Sequence, residues 1–281
     1  MLAALLLVFR EVLEAGLIVG IVLAATEGIA GRGRWVAGGV MAGLAGAALV
    51  AVFAGVMSSA FSGVGQEVFN AVILIAAVAM LAWHALWMSA HARELSQEMM
   101  SLGRSVSAGH RTLAAMALVV TVAILREGAE VVLFLFGILA SGGDSPMQTA
   151  LGAIGGLGVG AGVSWLVYRS LLAIPVRRLF SVTNGLIILL AAGMAGQAAV
   201  FLNRANLIPT LGDQLWDSSA LLPDDGLAGR ALHVLIGYSD RPMGVQLIAY
   251  GTVLVTLLLA GRWIARHHQG ITRAAQKTAP V

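Results

Sequence analysis

The sequence predicts an all-α polytopic membrane protein of seven transmembrane helices, arranged as two inverted three-helix repeats plus a seventh helix, with the N-terminus outside and the C-terminus cytoplasmic. Three observations predict it. Only 11% of the 281 residues are charged and 59% are hydrophobic, with a mean hydropathy of +0.90, whereas soluble domains carry about 25% charged and 45–50% apolar residues. The apolar residues fall in seven runs of about 20–27 residues, the length of helix that crosses a hydrocarbon core of roughly 30 Å. The Lys and Arg residues gather on one side of such a seven-span arrangement. Runs of about ten residues with alternating polarity, the mark of an outer-membrane barrel, are absent from the sequence.

The first run, about 2–25, contains Arg10, Glu11 and Glu14. These charges would interrupt the apolar core of a signal peptide, so the segment is expected to be a retained helix and not a cleaved leader. The second run, about 36–58, carries Gly39 and Gly43 at four-residue spacing, which favours close helix packing. The third, about 67–89, opens on Gln66-Glu67, contains His84 and closes on Trp87-Met88. The fourth, about 114–140, contains Arg126, Glu127 and Glu130; the fifth, about 147–171, has Gly152, Gly156 and Gly160 at the spacing seen in the second. The sixth is about 180–203. A long connection, 204–243, precedes the seventh run at about 244–264 and a tail at 265–281. Within that connection, 227–237 can form a short interfacial helix but is too short to span. The whole of 1–281 reads as a single transmembrane domain, with one repeat over 1–112 and the other over 113–203.

Twelve of the seventeen Lys and Arg residues fall in the connections 26–35, 90–113 and 169–178 and at the C-terminal end from Arg262 onward. The opposite side receives Arg204, Arg230 and Arg241, all in the long connection. The positive-inside rule therefore places the C-terminus in the cytoplasm. The basic pI near 9.9 is accounted for by topology, and no nucleic-acid partner is expected. The absence of cysteine excludes disulfides and thiolate metal sites.

The repeat carries the chemistry. Aligning 9–24 with 125–140 matches six of sixteen positions, and the match includes Arg-Glu-x-x-Glu in both. Residues 69–88 and 183–202 share five of twenty positions. Three spans per repeat is odd, so the copies must cross the membrane in opposite senses, a transporter plan that places its site near the midplane. A charge at the bilayer centre costs about 2.5–3.5 kcal/mol even on insertion scales, so six are expected to meet inside the bundle or to line a wet cavity. Residues three apart share a helix face, which aligns Glu11 with Glu14 and Glu127 with Glu130. Arg10–Glu14 and Arg126–Glu130 are spaced to pair. Four carboxylates facing two guanidiniums leave a net negative, oxygen-rich site suited to a hard or borderline cation. Buried ion pairs locking helices together are the competing reading, and they would leave Glu11 and Glu127 without partners.

These motifs resemble the high-affinity iron permeases, the oxidase-dependent iron transporter family with its bacterial EfeU-type branch. The resemblance covers nearly the whole chain. It extends to Trp87-Met88 and, in the long connection, to LWDSSALLPDD and LIGY within 215–238. The second motif has the family's usual glycine at Gly128, whereas Val12 stands in that place in the first. The resemblance implies iron uptake, with Glu11, Glu14, Glu127 and Glu130 as metal ligands and Arg10 and Arg126 as their electrostatic partners. It also implies an iron ion as transported substrate with no tightly bound cofactor, and a location in the bacterial inner membrane. The implied partners are a periplasmic accessory iron-binding protein and an oxidase or peroxidase.

Further candidates have two readings each. Glu67 is a relay ligand on the access path or a carboxylate favoured at a helix N-terminus. His84 is a ligand or proton acceptor, or a hydrogen-bonded packing residue. His91, His110, His267 and His268 read as interfacial or cytoplasmic, and Met80, Met88 and Met194 as lipid- or core-facing. In the long connection Asp213, Asp217, Asp224, Asp225 and Asp240 outnumber three Arg; they form an acidic mouth that concentrates cations or docks a partner, or a solvated loop. No Gly-x-x-x-x-Gly-Lys-Ser/Thr phosphate loop is present, so a proton or the membrane potential must supply the drive. Three alternatives stand beside iron uptake: a permease for lead or another divalent metal, an integral-membrane di-iron oxidase, and a membrane scaffold. The oxidase is disfavoured because such sites use Glu-x-x-His and no His follows a Glu at i+3.

Overall fold

In a computed structural model the apolar runs become long helices whose lengths are set by where apolar sequence gives way to turn residues. The structure describes all residues except 61–64, 142–144, 170–175, 225 and 278–281, and the backbone alone at 57–60, 88–93, 95–96, 176–181, 227, 230–231, 234–235 and 265–277. Eight helices are present among the described residues: α1 (Leu2–Ala25), α2 (Arg32–Ala60), α3 (Gln66–Ser107), α4 (Leu113–Ala140), α5 (Pro146–Tyr168), α6 (Val176–Arg204), α7 (Leu227–Ile236) and α8 (Gly244–Lys277). Local chemistry marks several ends. Thr112 caps α4 by accepting from the Ala115 amide, and Ser145 with Gln148 forms a capping box before Pro146 at the start of α5.

Five of these helices are long and apolar enough to cross a membrane, all or part of α2, α3, α5, α6 and α8. The other two long helices, α1 and α4, are the ones that carry three charges each at mid-length. Large apolar side chains such as Leu49, Phe53, Ile154, Leu157 and Leu259 face outward, which is stable in lipid and not in water. The chain is a multi-pass, all-helical membrane protein.

Two helices run on past their apolar stretches. The connection 90–113 is mostly helix, because α3 continues to Ser107. Residues 90–107 contain no Pro, and eleven of the eighteen are Ala, Leu, Met, Arg, Glu or Gln, good helix formers that carry the helix through four Ser and Gly103. Its far end is anchored: Leu102 and Val106 are buried, a Cβ on Gly103 would collide with Ala25, and Ser107 Oγ donates to the Ala25 carbonyl at 3.0 Å. α8 likewise continues beyond the seventh apolar run, to Lys277.

Helix pairing follows the glycines. α5 packs along α1 and α2 along α4, while α1 scarcely touches α2 and α4 scarcely touches α5. Gly152 meets the Met1 carbonyl, Gly156 that of Leu5, and Gly160 that of Phe9. The contact positions advance together along both helices, so α1 and α5 run parallel. Gly39, Gly43 and Gly46 likewise meet Ala117, Thr121 and Leu125 in turn, so α2 and α4 are parallel too. The glycine spacing therefore serves close packing: a Cβ on Gly43 would lie 2.6 Å from the Cβ of Ile124 and 2.8 Å from the Thr121 carbonyl oxygen. Between these two pairs, α1 and α4 touch each other and both touch α3, with α6 behind α3 and α8 against α6.

Candidate metal centre

Each motif reaches the interior because it sits at mid-helix on the face turned toward the other motif helix and α3. Arg10, Glu11, Glu14, His84, Glu127 and Glu130 are all buried. On α1, Arg10 serves two carboxylates, with Nη1 3.0 Å from Glu11 Oε1 and Nη2 2.9 Å from Glu14 Oε1. On α4, Arg126 Nε donates to Glu130 Oε1 at 3.0 Å and stands 3.9 Å from Glu127 Oε1. The i,i+4 pairs expected from helix geometry are thus present in both motifs.

His84 joins the two halves. Its Nε2 lies 3.1 Å from Glu14 Oε2, and its Nδ1 contacts Glu130 Oε2. The geometry places this residue inside the charged cluster, paired with a carboxylate of each motif. Ligand atoms of Glu11, His84, Glu127 and Glu130 all lie within 4.8 Å of one another. Glu14 stands just outside that set, held between Arg10 and His84.

The two arginines differ in setting. The Arg10 side chain is 2% exposed and that of Arg126 is 38% exposed. The Arg126 guanidinium also lies over the Trp87 ring, 4.9 Å from its centroid, an attraction of about 0.5–2 kcal/mol depending on desolvation. Arg10 Nε, Glu11 Oε2 and Glu127 Oε2 are buried without a hydrogen-bond partner among the described residues. Ion pairing therefore leaves one oxygen of Glu11 and one of Glu127 unsatisfied, which is costly in a low-dielectric interior unless a cation completes the site.

The remaining candidates are elsewhere. Glu67 occupies the first turn of α3 with Oε2 buried and without a hydrogen-bond partner among the described residues, seventeen positions from His84, or about 25 Å along the helix. Asp217 is in the long connection, tied to Arg241 at 3.1 Å and to Ser219. Hydrogen bonds from Ser219, then Arg241, hold its carboxyl below the usual aspartate range. Asp224 shows the opposite shift: burial, then the neighbouring Asp240 charge, push it up. Asp225 and the side chains of His91, His267, His268 and Met88 lie outside the described residues, and His110 is exposed. Met194 is in the core and Met80 packs against it.

The model of the iron permease FTR1 family matches residues 1–265. The chain belongs to that family. Among curated relatives, Ferrous iron permease EfeU of Escherichia coli O6:H1 (strain CFT073) is 28% identical over 262 residues, covering 91% of this chain and 93% of its own. Ferrous iron permease EfeU of Shigella sonnei (strain Ss046) is 27% identical over 259 residues, at 91% and 93% coverage. That of Yersinia pestis is also 27% identical over 259 residues, at 90% of each chain. No solved structure matches. The family and these relatives are named as permeases, transporters and not enzymes, which removes the oxidase alternative. Iron is accordingly a transported substrate and not a resident cofactor.

Proposed function

We propose that this FTR1-family chain moves iron, as the ferrous ion, into the cytoplasm through the site formed by Glu11, Glu14, Glu127 and Glu130, with His84 as a fifth ligating or proton-accepting group. One observation carries the reading: ligand atoms from α1, α3 and α4 converge in a buried cluster in which Glu11 Oε2 and Glu127 Oε2 have no protein partner. Four carboxylates against two guanidiniums attract a cation, and an imidazole beside carboxylate oxygens suits a borderline divalent metal. The ferrous form is favoured by the relatives' name, Ferrous iron permease EfeU. Arg10 and Arg126 limit the negative charge so that the ion is held loosely enough to leave.

The topology belongs to the same proposal. α1 and α4 join the five apolar helices as spans, giving seven, with α1–α3 and α4–α6 as inverted repeats (1–112 and 113–203) and α8 outside them. The parallel pairs α1–α5 and α2–α4 support this, because spans whose numbers differ by two or four cross in the same sense. The basic connections put the N-terminus outside and the C-terminus in the cytoplasm of a bacterium's inner membrane. An oxidase or peroxidase and an accessory iron-binding protein on the outer side would supply the ion, with Glu67 as a candidate relay group and Asp217 as part of an acidic mouth on that side.

Replacing Glu127 with Gln tests the reading, since the amide keeps size and loses the charge. Iron uptake into proteoliposomes is expected to be abolished while insertion and thermal unfolding stay unchanged. Normal uptake by E127Q would overturn it.

A further inference from the structure

We propose that the cavity beneath α7 is a second cation site, a staging point for a ferrous or similarly borderline divalent ion before it reaches the midplane cluster; this deepens the permease reading and rests on it. The cavity has a volume of about 20 Å³ and is lined by Ile138 and Ser141 of α4, Met194 and Gln197 of α6, His233 of α7 and Gln246 of α8. That is room for one water-sized species. Ile138 and Ser141 are eight and eleven residues beyond Glu130, placing the cavity about 12–17 Å further along α4. In the proposed topology this is the outer side.

The lining is chemically matched to a metal. His233 Nδ1 lies 2.7 Å from the Tyr238 carbonyl oxygen. A carbonyl only accepts, so Nδ1 carries the proton and the neutral ring keeps a lone pair on Nε2. Metal-binding histidines are oriented in this way by a backbone carbonyl on their other nitrogen. Met194 offers a thioether. The Gln197 side chain makes no hydrogen bond among the described residues, and Gln246 is buried with only its Oε1 engaged, by the Met243 amide at 3.4 Å. Below the cavity, Phe134 and Ala77 are buried, and Gly137 leaves no room for a Cβ between Ala77 and the Met194 methyl at the cavity floor. An ion in the cavity is therefore separated from the carboxylates by an apolar layer that must part for it to pass.

The two segments of the long connection that resemble the bacterial permeases are what build this site. Gly237 ends α7 in the left-handed conformation at φ 70 and abuts Gly193 of α6, where a Cβ on Gly193 would lie 2.7 Å from the Gly237 Cα. Tyr238 Oη meets Ser218 Oγ at 2.7 Å and donates to the Leu222 carbonyl at 2.9 Å. The turn at Gly237 makes the Tyr238 carbonyl face His233, and Ser218 and Leu222 of the other segment clamp that turn.

The test is ferrous ion binding by equilibrium dialysis under anaerobic conditions on the whole protein in nanodiscs, paired with uptake kinetics in proteoliposomes. The wild type is expected to bind two ions. His233→Asn keeps a donor for the Tyr238 carbonyl and removes Nε2; it is expected to lose one ion and to raise the KM for uptake by about tenfold or more, since even a group that only orients a ligand costs a metal site that much, with kcat retained. Gln197→Leu, which touches no hydrogen bond of the loop, is expected to raise KM in the same direction. Two ions retained by H233N, or an unchanged KM in both variants, would overturn the proposal. A wild type binding one ion that E127Q abolishes also overturns it and leaves the midplane reading standing. A single ion lost in H233N and kept in E127Q would support the outer site and remove the midplane one.

Discussion

The unequal burial of the two arginines makes a quantitative prediction. Replacing Arg10 with Met keeps an unbranched chain of similar length and removes a guanidinium that is 2% exposed and pairs with two buried carboxylates at 3.0 and 2.9 Å. Breaking a buried pair by deleting one partner costs about 3–5 kcal/mol, because the remaining charge is left uncompensated. Arg126→Met removes a guanidinium that is 38% exposed. Solvent screening discounts its ion pair to about 1 kcal/mol, and loss of the Trp87 contact adds roughly 0.5–1 kcal/mol. The Arg10 variant is therefore expected to be the less stable by about 1–3.5 kcal/mol, and the difference should shrink when ferrous ion is added to screen Glu11 and Glu14. Denaturation in mixed micelles, followed through the six tryptophans, reads both quantities. Equal destabilisation by the two substitutions, or no recovery with the metal, would refute the reasoning.

Other expectations are as direct. Gly43→Leu should destabilise by about 1–3 kcal/mol through overpacking against Ile124 and Thr121, while Gly38→Leu, which has nothing within 4 Å of its Cβ position, should be near neutral in the same assay. The long connection should loosen at acid pH. Asp217 has a depressed folded-state pKa, so its contribution is present above the ordinary aspartate value and is lost as pH falls through the folded one; limited proteolysis between pH 6 and about pH 3 should show faster cleavage of 204–243 at the acid end, and a flat profile counts against the tie. Asp224→Asn should leave the loop as stable as the wild type or more so at neutral pH, because burial and Asp240 disfavour its charge there. Competition between lead and iron in vesicles separates the two cargoes: lead that is transported in place of iron, and not merely inhibitory, would favour the alternative permease.

The parts of this protein legible in its sequence are those that depend on neighbours along one helix. Arg-Glu-x-x-Glu can be read because i,i+3 and i,i+4 geometry aligns Glu11 with Glu14 and pairs Arg126 with Glu130 before any tertiary contact exists. Gly43 and Gly156 signal close approach for the same reason. Which helices approach was not legible: α2 lies on α4 and α5 on α1, a pairing between the two halves that spacing within one segment cannot specify. His84 is the clearest case. One histidine in an apolar run has the same sequence context whether it packs or ligates, and its role depends on α3 touching both motif helices while α6 stands back. The extension of α3 to Ser107 was hidden by its charges, which read as a cytoplasmic connection although its residues are good helix formers. His233 was visible only as part of a short amphipathic segment, since its partner is a carbonyl five residues on, presented by a left-handed turn at Gly237.

The claim at the centre of this account is that iron sits between α1, α3 and α4. Anomalous diffraction at the iron edge from ferrous-soaked crystals tests it most directly. The account predicts a peak within coordination distance of Glu11, His84, Glu127 and Glu130, absent in Glu127→Gln. Iron found only in the long connection, with the carboxylates of the two motifs paired as they are without it, would contradict it.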